Sequence, residues 1–202
     1  LSFDPGRKLY LAGPRTHRIA FLLQGNEQLE TIIGPAIGAL SRELEETAFY
    51  VSNAPEGLRL LKYAVPEIHG RTFIHPGFEF PLNATASGKV IYAFSHNPED
   101  VDFGRLEKPH LAPASVTDVE ELRLMYKTVR ENGYAFNIEE FVAGIASVAV
   151  PVFQNQSVVG ALSIIFPDDR LPKEGSLERK KVLLSLMNAS KSLSALFSAQ
   201  AV

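Results

Sequence analysis

Between Phe141 and Pro167 the chain reads FVAGIASVAVPVFQNQSVVGALSIIFP, two apolar runs rich in β-branched residues around a polar turn. Val148 to Phe153 leads in, Gln154 to Ser157 turns, and Val158 to Phe166 leads out, a pattern that predicts a central β-hairpin. Pro151 interrupts the first run; without an amide hydrogen it requires a bulge or an edge position. Side chains alternate between the faces of a sheet. Ser147, Ala149 and Pro151 therefore share one face of the first strand, and Ala161, Ser163 and Ile165 share one face of the second. Three small residues, Ser147, Gly160 and Ser163, break the apolar pattern. Hydroxyls on such a face read two ways: as floor contacts for a small polar ligand, or as room for a packed helix.

The 202 residues suffice for one substantial core, or for one domain with an appendage. Hydrophobic residues make up 46% and charged residues 21%, an ordinary globular composition. A net charge of −3 leaves no overall electrostatic footprint for nucleic acid. The absence of cysteine excludes disulfides, thiolate nucleophiles and cysteine metal sites, and fits a reducing compartment. No apolar run approaches bilayer length and no signal peptide is visible, so no membrane partner is expected. Asn83-Ala84-Thr85 matches a glycosylation acceptor in isolation. The chain opens on Leu1 in the middle of a pattern, as a piece of a longer protein would.

In order, Asp4-Pro5-Gly6 is a turn and Lys8 to Leu11 a short strand. Arg15 to Leu23 predicts a helix, and Glu27 to Glu46 a longer one with Leu29, Ile32, Ile33, Ala36, Ile37, Leu40 and Leu44 at helical spacing. Its apolar residues cover more than a narrow stripe, which suggests a self-association surface. Thr47 to Ser52 and Leu58 to Val65 read as strands around Asn53–Gly57. Residues 66–82 are irregular and hold His69, Phe73, His75, Phe78 and Phe80; they form a pocket-lining loop or a surface loop pinned by its aromatics. Asn83 to Phe94 predicts a capped helix and Asn97-Pro98 the start of a short one. Thr117 and Glu120 have capping-box spacing for a helix that stops at Asn132-Gly133. Tyr134 to Asn137 is a short strand. Ser176 to about Gln200 is a terminal helix with Leu183, Leu186, Met187, Leu193, Leu196 and Phe197 as its buried stripe.

Catalytic signatures are lacking. Ala84 to Val90 resembles the end of a phosphate-binding loop, but Asn83 replaces the first glycine and Val90 the magnesium-binding hydroxyl. Neither Ser87 nor Ser147 sits in a G-x-S-x-G elbow. The five histidines lack ligand spacing on a common helix, and a metal is conceivable only where loop folding joins His69 to His75. Glu139 and Glu140 diverge if extended, a poor acid–base pair. On residues alone, a binding domain is favoured over an enzyme, with no cofactor.

Three segments together resemble the IclR family of bacterial transcriptional regulators. They are Pro81-Leu82-Asn83-Ala84-Thr85-Ala86-Ser87-Gly88-Lys89; Arg130-Glu131-Asn132-Gly133-Tyr134-Ala135 followed by Glu139 to Ile145; and Ser147 to Phe153 with Val159 to Ser163. The resemblance covers about residues 15–200. Residues 1–14 are similar to the end of a winged helix-turn-helix, though Ala12 departs from the usual wing pattern. The resemblance thus divides the chain into a wing strand (1–14), a linker helix (15–26) and an effector-binding domain (27–202). It implies an α+β fold, a curved antiparallel sheet flanked by helices and related to GAF and profilin-like domains.

The same resemblance implies a cytoplasmic sensor that binds a small organic acid or aromatic metabolite, reaches DNA through an upstream domain, and forms homodimers or homotetramers. Carried over by position, the pocket comprises Ala86 and Ser87 at a helix start, where free amides suit a carboxylate. The sheet adds Asn137, Ile145, Ser147, Ser163 and Ile165, and the irregular loop His69, Thr72 and Phe80. Asn137 stands where the family commonly has Asp, and Ile165 where some members are polar. On this reading a tryptophan at Ser87 fills the pocket and leaves the fold intact. Two other readings remain: a small hydrolase using Ser87 or Ser147, which needs His and Asp partners, and an oligomerisation module with a dry core.

Overall fold

The computed structural model describes residues 2–4, 9–11, 31–55, 57–67, 72, 74, 78–97 and 99–199. The helix expected at 15–26, residues 27–30 of the next helix, Pro98, His69 and His75 lie outside these. Strands β1 (Ser2–Asp4) and β2 (Leu9–Leu11) pair antiparallel, Phe3 opposite Tyr10. Residues 31–44 form helix α1, continuous through Pro35. Then follow β3 (Thr47–Ala54), β4 (Gly57–Ala64), α2 (Ala86–Ser95), α3 (Val119–Asn132), β5 (Ala135–Ile138), β6 (Ile145–Gln154), β7 (Ser157–Pro167) and α4 (Leu177–Ala199).

The strands β3 to β7 form one antiparallel sheet in the order β4-β3-β7-β6-β5, so the β6–β7 hairpin lies within the sheet. Its two-residue turn, Asn155-Gln156, has positive φ at both positions, the backbone twist that a tight hairpin prefers. The α+β expectation holds. Alternation gives the sheet two different faces. Val148, Val150, Val152, Leu162, Ile164 and Phe166 point to one side, where Ile33, Ile37 and Leu40 of α1 and Val182, Leu186, Leu193 and Phe197 of α4 bury them. Phe49, Val51, Ala135, Ala149 and Ala161 point to the other, under Val90 and Ile91 of α2 and Leu122, Tyr126 and Val129 of α3.

Several local expectations change. Of the two positions open to Pro151, the structure gives the edge and not the bulge: it pairs with Ala161 on one side only, and the irregularity falls between Val152 and Phe153. Strand β5 reaches only as far as Ala149, so Pro151 lies beyond its cover, and its carbonyl accepts a hydrogen bond from Ser190 Oγ instead. The expected capping run Asn83–Thr85 supplies the N-cap of α2 through Thr85, while Asn83 is buried and donates to the carbonyls of Pro109 and Val116. The N-cap of α3 is Asp118, which accepts from the amides of Glu120 and Glu121 and displaces the Thr117 capping box. Residues 99–100 are a turn, and the short helix comes later, at Phe103–Arg105. Leu196 faces solvent rather than the core.

By length and composition α4 could cross a membrane, its most apolar window having a mean hydropathy of 1.2, contrary to the expectation that no run approaches bilayer length. Its apolar face is nevertheless used against the sheet. The large apolar side chains left exposed among the described residues include Leu124 on α3 and Leu177, Leu184 and Leu196 on α4. None falls on residues 31–44, where Ile32, Ala36 and Leu44 are half-buried; Leu29 of the expected association surface lies outside the described residues.

Candidate functional site

Ser147 pairs with Asn137 on β5 and with Ile165 on β7, so these three stand side by side across adjacent strands. Phe49 lies on the same face, opposite Ser163. Over them is a cavity of about 190 Å³. Thr72, Ile74, Phe78 and Phe80 wall it on one side, and Phe141, Val142 and Ile145 of the β5–β6 connection on another. Phe78 packs edge-on against both Phe80 (4.7 Å between centroids) and Phe141 (5.0 Å), so the aromatics form one continuous wall.

The polar groups of the cavity are few and their commitments readable. Asn137 Oδ1 accepts from the amide of Glu140 at 3.0 Å, which orients the side chain and leaves its Nδ2 donors uncommitted among the described residues. Ser147 is buried, with its hydroxyl unpaired among them. Thr85, also in the lining, is already engaged: Oγ1 accepts from the Gly88 amide (3.0 Å) and donates to the Pro81 carbonyl (2.8 Å). A concave, mostly apolar space with a few convergent polar groups is the general form of a small-molecule site. A cavity of about 150 Å³ is enough for one benzene ring.

Of the residues expected at the site, Thr72, Phe80, Asn137, Ile145, Ser147 and Ile165 line this cavity. Ala86, Ser87 and Ser163 do not. They are buried in the contact between α2 and β7, where Ser87 Oγ lies 2.7 Å from Ser163 Oγ. The tryptophan expected to fill the pocket from Ser87 would instead overpack a helix–sheet contact. Gly88 shows how tight this region is: a Cβ there would lie 2.5 Å from the Pro81 carbonyl oxygen and 2.9 Å from Leu82 Cα. The amides of the first turn are also not all free, since Thr85 takes that of Gly88. Sequence reasoning missed Phe49, Ile74, Thr85, Phe141 and Val142. Period-two alternation from Thr47 could have found Phe49; the other four depend on how loops close.

Next to the cavity is a buried ion pair. Lys89 on α2 extends to Glu140, with Nζ 2.5 Å from each carboxylate oxygen and 3.0 Å from the Phe136 carbonyl. The three ammonium protons thus have three acceptors. Burial depresses the Lys89 pKa, and the Glu140 charge opposes that shift. Glu139 turns the other way and accepts from the Gly144 amide at 2.7 Å. Among the described residues no histidine bonds Ser87, whose partner is Ser163, and there is no cluster of three or more metal-ligating side chains. A larger groove of about 790 Å³ runs between α3, β5 and the start of α4. Two of its cations already have partners: Lys89 pairs with Glu140, and Arg179 lies over the Phe136 ring of the same groove at 3.9 Å.

Residues 24–195 match the profile of the bacterial transcriptional regulator IclR C-terminal family. The chain belongs to this family. It is 25% identical over 170 residues to the HTH-type transcriptional regulator TtgV of Pseudomonas putida, covering 84% of this chain and 65% of that protein. It is 26% identical over 178 residues to the Pca operon regulatory protein of Acinetobacter baylyi, covering 84% and 63%. It therefore spans just under two thirds of these curated relatives. Solved structures share the IclR fold. Thermotoga maritima IclR superposes with a TM-score of 0.78 at 21% identity, covering 97% of this chain and 78% of that one. An IclR homolog from Microbacterium hydrocarbonoxydans, complexed with 4-hydroxybenzoate, gives 0.74 at 19%, covering 93% and 75%. The inducer-binding domain of an Acinetobacter PobR double mutant, complexed with 3-hydroxybenzoic acid, gives 0.66 at 21%, covering 79% and 94%.

Proposed function

We propose that this IclR-family domain is the effector sensor of a bacterial transcriptional regulator, and that its effector is a small aromatic or other organic acid held in the 190 Å³ cavity. The observation that carries this is the pairing of an aromatic-walled space with two uncommitted hydrogen-bonding groups, Asn137 Nδ2 and Ser147 Oγ, side by side on the sheet. The ring lies among Phe49, Phe78, Phe80 and Phe141, and the acid is held by the Asn137 and Ser147 donors. Asn in place of Asp at 137 supplies a donor without a negative charge to oppose an anion. The hydroxybenzoates in two structures of this fold support a one-ring acid. Names of relatives support regulation over catalysis. DNA contact belongs to a further domain of the regulator, of which the β1–β2 pair is a remnant. The regulator works as a homodimer or homotetramer in the cytoplasm.

Calorimetry of the chain against 4-hydroxybenzoate, 3-hydroxybenzoate, benzoate and aliphatic acids is the test. Saturable binding is expected, weakened by about 1 kcal/mol in Ser147→Ala and by somewhat more in Asn137→Leu, which leaves a charged group short of a donor. Binding that survives both substitutions unchanged would put the effector elsewhere.

A further inference from the structure

We propose that the Lys89–Glu140 ion pair is a latch that sets the β5–β6 connection against the cavity, making Lys89 and Glu140 positioning residues for an effector that neither touches. This rests on the reading of the cavity as the effector site.

The connection, residues 139–144, is where the cavity wall is least supported by regular structure. It supplies Phe141 and Val142 to the lining, and Val142 is 46% exposed. Glu139 and Gly144 both take positive φ, so a sharp local fold separates the flanking strands. Along it the side chains diverge: Glu139 bonds back to Gly144, Glu140 turns to Lys89, and Phe141 turns to Phe78 and the cavity. The residue held by the ion pair is thus the immediate neighbour of the ring that closes the wall.

Glu140 is tied at three points. Its carboxylate receives the Lys89 ammonium, its amide donates to Asn137 Oδ1, and its carbonyl accepts from Ser115 Oγ at 2.5 Å. The second tie matters most for binding, because it orients Asn137, one of the two groups assigned to the acid. A shift of Glu140 therefore moves Phe141 and turns Asn137 together. Lys89 itself is anchored on α2, well buried, and shares the Phe136 carbonyl with β5. A buried pair of charges is a costly way to fill space, and apolar side chains of similar size often fill it as well or better. Geometry that only directed bonds can hold gives such a pair a use.

The decisive variant is Lys89→Met/Glu140→Met, which removes both charges and leaves neither unpaired. Its melting temperature checks folding, hydrogen exchange reads residues 139–144, and calorimetry with 4-hydroxybenzoate reads the cavity. The latch predicts a melting temperature near that of the parent. It also predicts exchange at least about tenfold faster in 139–144, with β7 and α4 unchanged. Affinity should fall about tenfold, chiefly through faster release. Glu140→Gln, which keeps an acceptor for Lys89, should fall between the two. Unchanged loop exchange in the double variant overturns the latch whatever the binding result, and faster exchange with unchanged affinity overturns its link to the effector. A parent chain that binds none of the acids would instead sink the effector reading, with loop exchange still deciding the mechanical part.

Discussion

The same strands serve two different purposes on their two faces. On the side of α1 and α4, alternate residues of β3, β6 and β7 enter a dry core of Val, Ile, Leu and Phe with Tyr50. On the side of α2 and α3, the intervening residues include Thr47, Asn137, Ser147 and Ser163, and the packing leaves a cavity. The packed face gains stability from volume that fits, so it tolerates little change. The cavity face gives up part of that stability, and in return presents Asn137 Nδ2 and Ser147 Oγ, which have no partner among the described residues, while Thr47 and Ser163 are paired within the protein. Stability and recognition are thus assigned to alternate positions of one strand.

Adjacent residues of β7 allow the sharpest test. Ile164 is fully buried on the packed face, and Ile165 borders the cavity. Ile164→Ala should cost about 3–5 kcal/mol in chemical denaturation, because the surroundings cannot collapse into the space, and should leave acid binding unchanged. Ile165→Ala removes the same atoms beside an existing void and should cost about 2 kcal/mol or less. It should also shift the preference toward bulkier acids. Equal costs at the two positions would mean that the cavity is closed in solution, and the contrast between the faces would fail.

The two faces meet at the end of the sheet, at Glu46, just before Thr47 on one side and Ala48 on the other. Glu46 is buried and pairs with Arg170 at 3.0 Å. Burial pushes its carboxyl pKa up to about 7, outweighing the opposing Arg170 charge, with Asp169 and Glu45 adding to the rise. The folded state therefore holds a proton that the unfolded chain has released above its ordinary 4.5. The resulting stabilisation is complete below that value and is lost as pH rises through about 7. With water screening the carboxylate, the loss is on the order of 1–2 kcal/mol. Thermal melts from pH 4.5 to 8 should show this decline in the parent and a flatter profile in Glu46→Gln. Parallel profiles would assign the slope to other groups.

How much of this the sequence revealed depends on whether a feature is periodic or made by folding. The hairpin, the alternation that puts Ser163 and Ile165 on one face of β7, and the Gly133 stop all follow from local spacing, and all are present. Asn137, Ser147 and Ile165 came from the family resemblance, and strand register carries them together. Ser87 and Ser163 were legible as near neighbours, but not as partners of each other. Whether a hydroxyl meets a ligand or another hydroxyl is decided by how α2 settles on β7. Phe141 and Val142 had no signal at all, because the loop that aims them is shaped by the Lys89–Glu140 pair, and the two residues lie 51 positions apart. Capping errors had a simpler cause: Thr117 and Asp118 both suit an N-cap, and the backbone chose the second.

The smallest expected effect tests how the packed face ends. Strand β5 covers β6 only from Ala146 to Ala149, so the backbone beyond that point lacks a strand partner on that side. Such an edge invites pairing with another chain. Here α4 covers it with hydroxyls one helical turn apart. Ser190 Oγ donates to the Pro151 carbonyl, Ser194 Oγ accepts from the Phe153 amide at 2.9 Å, and Ser198 Oγ accepts from the Asn155 amide at 3.2 Å. Pro151 suits this edge because it needs no acceptor there. Ser194→Ala removes one acceptor from a partly buried amide that water can still reach. The cost should be about 0.5–1 kcal/mol, reduced by the better helix propensity of alanine. Acid binding, on the opposite face, should not change. Replacing all three serines with alanine should add these costs and leave the edge open, so that the chain self-associates through it in sedimentation. A triple variant with the parent's stability and the parent's oligomeric state would show that α4 covers this edge by packing alone, and that its hydroxyls are incidental.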